Sequence, residues 1–365
     1  MPTEVQAPGT RHQAPASERP AGRLGVRVEI ASESDRAAWD AYVAVRPEAV
    51  GYHEWAWREV IGRTFGHRAV YLIARDDGGA VRGVLPLIDI KSQLFGRTLT
   101  SLPFVNYGGV LADDDVVARA LVDAAAEQAR AIGARHVELR HFAQRFPDLP
   151  SKAHKVTMRL PLQTGMWDKL DRKVRNQVRK AEKSNLTVER GGAEKLGDFY
   201  RVFARNMRDL GTPVYPRALF EEVFRAFPDR ARVIVVRLEG QPIAAGVTYR
   251  TGAIVEVPWA SSIREHNQLC PNHLLYWHAI ESAVAEGCET FDFGRSTPDE
   301  GTYKFKEQWG ASPVPLHWEY CLMSGGAVPD QSPKNPKFRL AIDTWKRLPL
   351  WLANMAGPRI VRGIP

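Results

Sequence analysis

The chain is 365 residues long, 44% hydrophobic and 25% charged, with a formal net charge of +8 at pH 7. That balance excludes a chain disordered throughout, and the length suits two cores of roughly 130–170 residues each. The positive excess favours anionic partners: phosphates, nucleic acid or an acidic membrane face. The three cysteines, Cys270, Cys288 and Cys321, are widely spaced without C-x-x-C or histidines at metal spacing, which argues against a disulfide framework and against a metal site.

Residues 1–24 are rich in Pro, Ala, Glu and Arg and have no apolar stretch, so they are expected to form a disordered tail rather than a secretory leader. No run approaches the ~20 apolar residues of a membrane span. Together these point to the cytoplasmic side. From Val26 the chain alternates as a strand, and Ser34 caps a helix to Val45. A second helix follows over His53 to Arg63. The apolar runs Ala69–Ala74 and Ala80–Ile90, joined by Asp76-Asp77-Gly78-Gly79, form a hairpin. An Ala-rich helix from Asp114 to Ile132 stops at Gly133, and His136–Leu139 is a strand.

The second half repeats that order. Helices Met166–Ser184 and Glu194–Leu210 precede a hairpin, Arg232–Leu238 and Ile243–Tyr249, turned at Glu239-Gly240. Strand Ile254–Trp259 leads to helix Asn272–Glu286, which Gly287 ends, and Phe291-Asp292-Phe293 closes the unit. Layout repeats while identity does not, which predicts a first domain over 25–160, a second over 161–325 and a tail from 326 to 365.

Chemistry concentrates after Phe291. Asp292 alternates with two phenylalanines, Gly294 lets the backbone turn, and Arg295, Ser296, Tyr303, Lys304 and Lys306 follow within fifteen residues. Arg295 and Lys304 suit phosphates, and Arg is the better bidentate ligand. Asp292 either orients Arg295 or serves as base, and Tyr303 either hands over a proton or packs. Asn272 and His273 open a helix, where unpaired N–H groups favour an anion. The Trp259–Ser262 strand end is expected to line the same cleft. On the helix spanning Lys169 to Lys183, Arg172, Arg175 and Arg179 share one face, either solvated or binding an RNA or another polyanion. In the tail, Phe338, Ile342 and Trp345 fall at i, i+4 and i+7 among Lys and Arg. That pattern reads either as an amphipathic contact with the inner membrane or as a strap over the protein.

The runs Lys173–Glu182, Asn272–Ile280, Asp292–Ser296 and Tyr303–Gly310 resemble the FemAB-like family of acyl- and aminoacyl-transferases. The branch associated with exosortase and PEP-CTERM exopolysaccharide systems is the most similar. The resemblance covers most of the second half, and the segment after Phe291 is its specific part. It departs at Asp299-Glu300-Gly301-Thr302, where a more Gly- and Lys-rich loop is expected.

The resemblance implies an α/β (α+β) chain of two tandem GNAT-like domains, with mixed central sheets flanked by helices. It implies amide formation on an amino group of a cell-envelope precursor, with aminoacyl-tRNA or acyl-CoA as co-substrate and no tightly bound cofactor. It places a transition-state lysine after a phenylalanine, matched by Phe305-Lys306; independently of the resemblance, Lys306 is expected to be partly exposed. It also places a glutamate base on a central strand, matched by Glu256. GNAT domains cradle the donor pyrophosphate on a Gly-rich turn, where this chain has Cys270-Pro271-Asn272-His273. Two other readings stand beside it: an acyl-CoA-dependent N-acyltransferase of a small amine, and a non-catalytic partner in envelope assembly.

Overall fold

The computed structural model describes residues 25–93, 95–325, 327–328 and 336–364. The expected N-terminal tail lies outside the described residues. In chain order the first half comprises β1 (Val26–Ile30), α1 (Arg36–Ala44), α2 (Ala56–Phe65), β2 (Arg68–Asp76), β3 (Val81–Ser92), β4 (Gly96–Ser101), β5 (Leu111–Ala112), α3 (Asp115–Ala131) and β6 (His136–His141). The second comprises β7 (Ser151–Pro161), α4 (Met166–Lys169), α5 (Arg172–Glu182), β8 (Leu186–Gly191), α6 (Leu196–Leu210), α7 (Arg217–Ala226), β9 (Ala231–Leu238), β10 (Gln241–Thr251), β11 (Ile254–Ser262), α8 (Pro271–Ala285), β12 (Thr290–Ser296), α9 (Gly301–Glu307) and β13 (Ser312–Leu322). Helices α10 (Pro336–Trp345) and α11 (Leu350–Val361) follow.

Local chemistry sets the punctuation. The Asp76 carboxylate accepts the N–H groups of Gly78 and Ala80 at 3.0 and 2.9 Å, closing the first hairpin. Asp114 caps α3 by accepting from the Val117 N–H at 2.9 Å. The long helix expected from Met166 breaks at Leu170, which is extended (ψ 144°). Asp171 restarts it as a cap for α5, accepting from the Lys173 N–H at 2.6 Å. Leu170 is buried, and an extended residue there drops its side chain into the core.

Among the described residues the strands form one mixed sheet in the order β1-β2-β3-β4-β6-β13-β7-β12-β11-β10-β9-β8, with β5 on β3. The layout repeat is visible in the pairing. In each half one helical crossover joins two parallel strands, β4 with β6 through α3 and β11 with β12 through α8. The halves meet through β13, which is antiparallel to both β6 and β7. Its prolines, Pro313 and Pro315, precede the stretch from His317 that pairs with β6, so their segment has one edge without a ladder, where a missing N–H is tolerated.

One face of the sheet carries a core shared by both halves. Trp57 packs on Phe227 at 5.5 Å, and Tyr52 on Tyr249 at 6.1 Å. The opposite face is divided. Helix α3 covers the first half with its Val117, Leu121, Ala125 and Ala129 stripe, while α5 and α8 cover the second. Residues 102–110, between β4 and β5, are buried throughout, with Leu102 and Phe104 at φ 43° and 71°. That buried loop brings the first half into the site of the second.

Candidate active site

The parallel ladder of β11 and β12 runs only from Ile254↔Thr290 to Glu256↔Asp292, although both strands continue. At that last rung β12 also pairs Asp292 with Arg159 on β7, so three charged residues stand side by side on adjacent strands. Just beyond it β12 bulges, with Gly294 at φ +74°. A Cβ at Gly294 would lie 2.9 Å from the Val257 carbonyl oxygen, so only glycine fits.

Asp292 is fully buried and fully engaged. It accepts from the Gly294 N–H (2.8 Å), from Arg159 Nε (3.1 Å) and from the Thr157 hydroxyl. The expected Asp292–Arg295 partnership does not form. The bulge separates the two residues, and Arg159 takes the carboxylate instead. Glu256 is buried too, held at Oε1 by Asn106 Nδ2 (2.5 Å).

The Tyr107 hydroxyl stands 3.0 Å from Glu256 Oε2 and 3.2 Å from Asp292 Oδ2. One hydroxyl carries one proton, so it donates to one carboxylate and accepts from the other, which must itself be protonated. Burial, followed by the Asp292 charge, raises the Glu256 carboxyl well above its usual range, so Glu256 holds that proton. A cavity of about 50 Å³, bordered by Tyr52, Tyr107, Arg159, Tyr249 and Glu256, gives room for a water molecule beside it.

Lys306 projects from α9 into this group. It was expected to be partly exposed, but its exposure is 7%. The short helix lies against β12 and β7, so most of the Lys306 side chain is covered and only a small part stays accessible. Nζ donates to the carbonyls of Gly294 (2.8 Å) and Arg295 (3.0 Å). Burial brings its pKa down to about 8, with the Asp292 carboxylate opposing and Arg295 acting in the same sense as burial. Phe305 turns to the other side of α9, against His273 (5.1 Å) and Tyr276 (5.3 Å), and walls the site there.

The remaining expected residues divide. Arg295 is solvent-exposed, stacked over Trp318 at 5.5 Å with Arg140 on the same indole at 4.4 Å, at the seam between the halves. Ser296 is buried with an unpartnered hydroxyl, Tyr303 packs on the α8 core, and Lys304 is exposed. Asn272 donates to the Ser262 hydroxyl (2.9 Å), pinning the start of α8 to the end of β11. Burial, reinforced by Lys173, holds His273 down to about 4, so its ring is neutral at pH 7.

Trp259 does not line the cleft. It is buried in the shared core, edge-on to Phe220 at 5.2 Å, because its β11 position faces α6 and α7. Arg175 and Arg179 sit on α5, whose Val174 and Val178 face the core; Arg179 stacks on Trp167 at 5.4 Å, and neither touches the carboxylates. Asn106, Tyr107, Thr157 and Arg159 escaped the sequence reading. The Asn106-Tyr107-Gly108-Gly109 turn is a local signal for the first two alone; Thr157 and Arg159 lie on β7 and enter the site through its pairing with β12.

Residues 168–307 match the family model described as an acetyltransferase (GNAT) domain. The fold is that of GNAT acyltransferases. Among solved structures, FemX is similar at 17% identity and TM-score 0.61, over 87% of this chain and 100% of that one. A tandem GNAT protein of the clavulanic acid biosynthesis pathway is similar at 14% identity and TM-score 0.53, over 84% and 100%. So is the C-terminal domain of a putative lysylphosphatidylglycerol synthetase from Agrobacterium fabrum, at 14% and 0.54, over 80% and 93%. No curated protein matches by sequence. Lys306 and Glu256, both inside the matched segment, therefore sit in an acyltransferase fold.

Proposed function

We propose that this chain is an acyltransferase of the FemAB kind that forms an amide on an amino group of a cell-envelope precursor. One observation carries the reading. A buried lysine and a protonated buried glutamate converge at the point where the β11–β12 ladder stops, leaving the facing backbone of β11 free to hold a donor. The two halves divide the work, with β7 belonging to the second although the expected boundary at 160 falls inside it: the second half holds the donor, and the first supplies Asn106 and Tyr107 and helps hold the acceptor.

In the reaction the acceptor nitrogen attacks the donor carbonyl carbon, and the C–O or C–S bond to the carrier breaks. The proton lost by nitrogen reaches the carrier oxygen or sulfur. Glu256, linked through Tyr107 to Asp292, is placed to relay it through water in the adjoining cavity. The Lys306 ammonium meets the developing oxyanion, a contribution of ~2.7–4 kcal/mol for a single such donor. Arg295 holds an anionic group of the acceptor.

Aminoacyl-tRNA is favoured as donor over acyl-CoA by the start of α8. There Cys270 bonds Gln177 (2.6 Å) and Asn272 bonds Ser262, in place of a glycine-rich turn open to a pyrophosphate. The name of the putative lysylphosphatidylglycerol synthetase points the same way, toward transfer of an aminoacyl group. The exopolysaccharide setting rests on the PEP-CTERM resemblance, and a cytoplasmic location follows from the donor.

Calorimetric titration of the purified protein with acetyl-CoA, longer acyl-CoAs and charged tRNA tests this. Saturable binding of charged tRNA supports it. Binding of a thioester alone makes the protein an acyl-CoA transferase. Binding of none, with no product, removes the catalytic reading.

A further inference from the structure

Helix α11 is packed the wrong way round for a simple strap. A helix that only fastens a chain end to a core buries its large apolar side chains. Here the buried positions are the small or branched Ala353, Gly357 and Val361, at i, i+4 and i+8. A Cβ on Gly357 would meet Val214 at 2.9 Å, so the backbone itself lies against the body. The outward stripe at i, i+4, i+8 and i+11 is Trp351, Met355, Arg359 and Arg362, with Trp351 67% and Met355 53% exposed.

The preceding segment continues the pattern. Ile342 packs over Gly211, while Leu340 is 79% exposed, and Arg339, Lys346 and Arg347 are exposed beside it. Among the described side chains of α10 and α11 and the turns after them, the exposed cations are Arg339, Lys346, Arg347, Arg359 and Arg362, against the exposed carboxylate of Asp343.

The segment is nevertheless fixed. Arg208 donates to the Leu348 carbonyl at 2.9 Å from the second half, and His67 bonds the Arg362 carbonyl at 2.9 Å from the first. A tryptophan, a methionine and a leucine held rigidly outward among arginines and lysines match the boundary between headgroups and acyl chains. No helix of the described residues is long and apolar enough to cross a membrane, so the contact is one of lying on the surface.

We propose that the outer face of α10–α11 docks on an anionic phospholipid bilayer, with Trp351, Met355 and Leu340 entering the interface and the five cations facing acidic headgroups. Charge complementarity selects this occupant. A second copy of the chain would bring the same five cations against themselves, and like charges juxtaposed are repulsive. Docking also places the seam near the membrane. His67 stacks with Phe104 at 5.9 Å, and Phe104 meets Tyr215 at 6.2 Å. Tyr215 in turn lies within electrostatic reach of Arg295.

The test is co-sedimentation of the full chain with vesicles of equal parts phosphatidylglycerol and phosphatidylcholine, and with phosphatidylcholine alone. The wild-type protein should sediment with the first, weakly with the second, and less as salt rises. With ~1 kcal/mol per cation near the surface, K346Q/R347Q/R359Q should weaken binding roughly a hundredfold. W351S/M355S should weaken it about tenfold or more. Both sets are exposed, so circular dichroism and the melting temperature should be unchanged, which separates lost docking from lost folding. Failure to bind phosphatidylglycerol vesicles at low salt overturns the proposal, as does binding indifferent to both variants. Self-association abolished by W351S/M355S without vesicle binding would give the face to a second copy and overturn it too.

Discussion

Lys306 is held charged where charge is costly, so removing the charge should stabilise the fold while ending its chemistry. Burial lowers its pKa from the ordinary 10.5 to about 8. That difference corresponds to about 3 kcal/mol of destabilisation of the charged form. In Lys306→Met the chain keeps a side chain of similar length and loses two hydrogen bonds, to the Gly294 and Arg295 carbonyls, at about 1 kcal/mol each. At pH 7 the variant should therefore be more stable than wild type by about 1 kcal/mol. The folded-state pKa is depressed, so between about 8 and 10.5 the unfolded chain binds the proton and the native one does not. Wild-type stability accordingly gains on the variant as pH rises through that window. Between pH 7 and pH 10 the difference should move by about 2 to 3 kcal/mol toward wild type and reverse sign. Urea unfolding of both proteins at the two pH values measures this. A difference that stays constant with pH would mean that the ammonium is not desolvated, and the electrostatic reasoning would fall with it. Activity of the variant should drop about 10²–10³-fold, as for loss of one oxyanion donor.

Tyr107→Phe removes the hydroxyl between Glu256 and Asp292 and leaves buried carboxylate oxygens short of a partner. It should cost about 1–3 kcal/mol in urea unfolding and shift the pH–rate profile; an unchanged profile would detach Tyr107 from proton handling. Gly294→Ala meets both a left-handed backbone and the Val257 carbonyl, so a loss of about 2 kcal/mol or more is expected. Gly133→Ala, at φ +67° with open space around it, should lose about 1 kcal/mol. Equal losses would show that the close approach at Gly294 contributes nothing. Arg295→Gln should leave stability within about 0.5 kcal/mol, because the residue is exposed and pairs with no carboxylate among the described residues. It should raise KM for an anionic acceptor with kcat little changed, and steady-state kinetics showing the reverse would remove Arg295 from acceptor binding.

Much of this protein was legible in its one-dimensional pattern, where the signals are local. The hairpin at Asp76–Gly79, the helix stops at Gly133 and Gly287, and the apolar alternation of Phe291 and Phe293 depend on residues within a few positions of one another. The duplicated order of elements followed from them. The Asp292–Lys306 cluster was visible because one strand, one turn and one short helix supply it.

What the sequence could not decide is everything that arises across the sheet. That Asp292 bonds Arg159 instead of Arg295 depends on the β12–β7 register and a bulge. That the Glu256 carboxyl is raised depends on its burial and on the Asp292 charge across the sheet, and its partners Asn106 and Tyr107 arrive from about 150 residues away, on a buried loop with no apolar period to announce it. The burial of Lys306 and Trp259, and the outward turn of Trp351, were likewise fixed by tertiary packing. Burial is a property of neighbours, and neighbours on adjacent strands are distant in the chain.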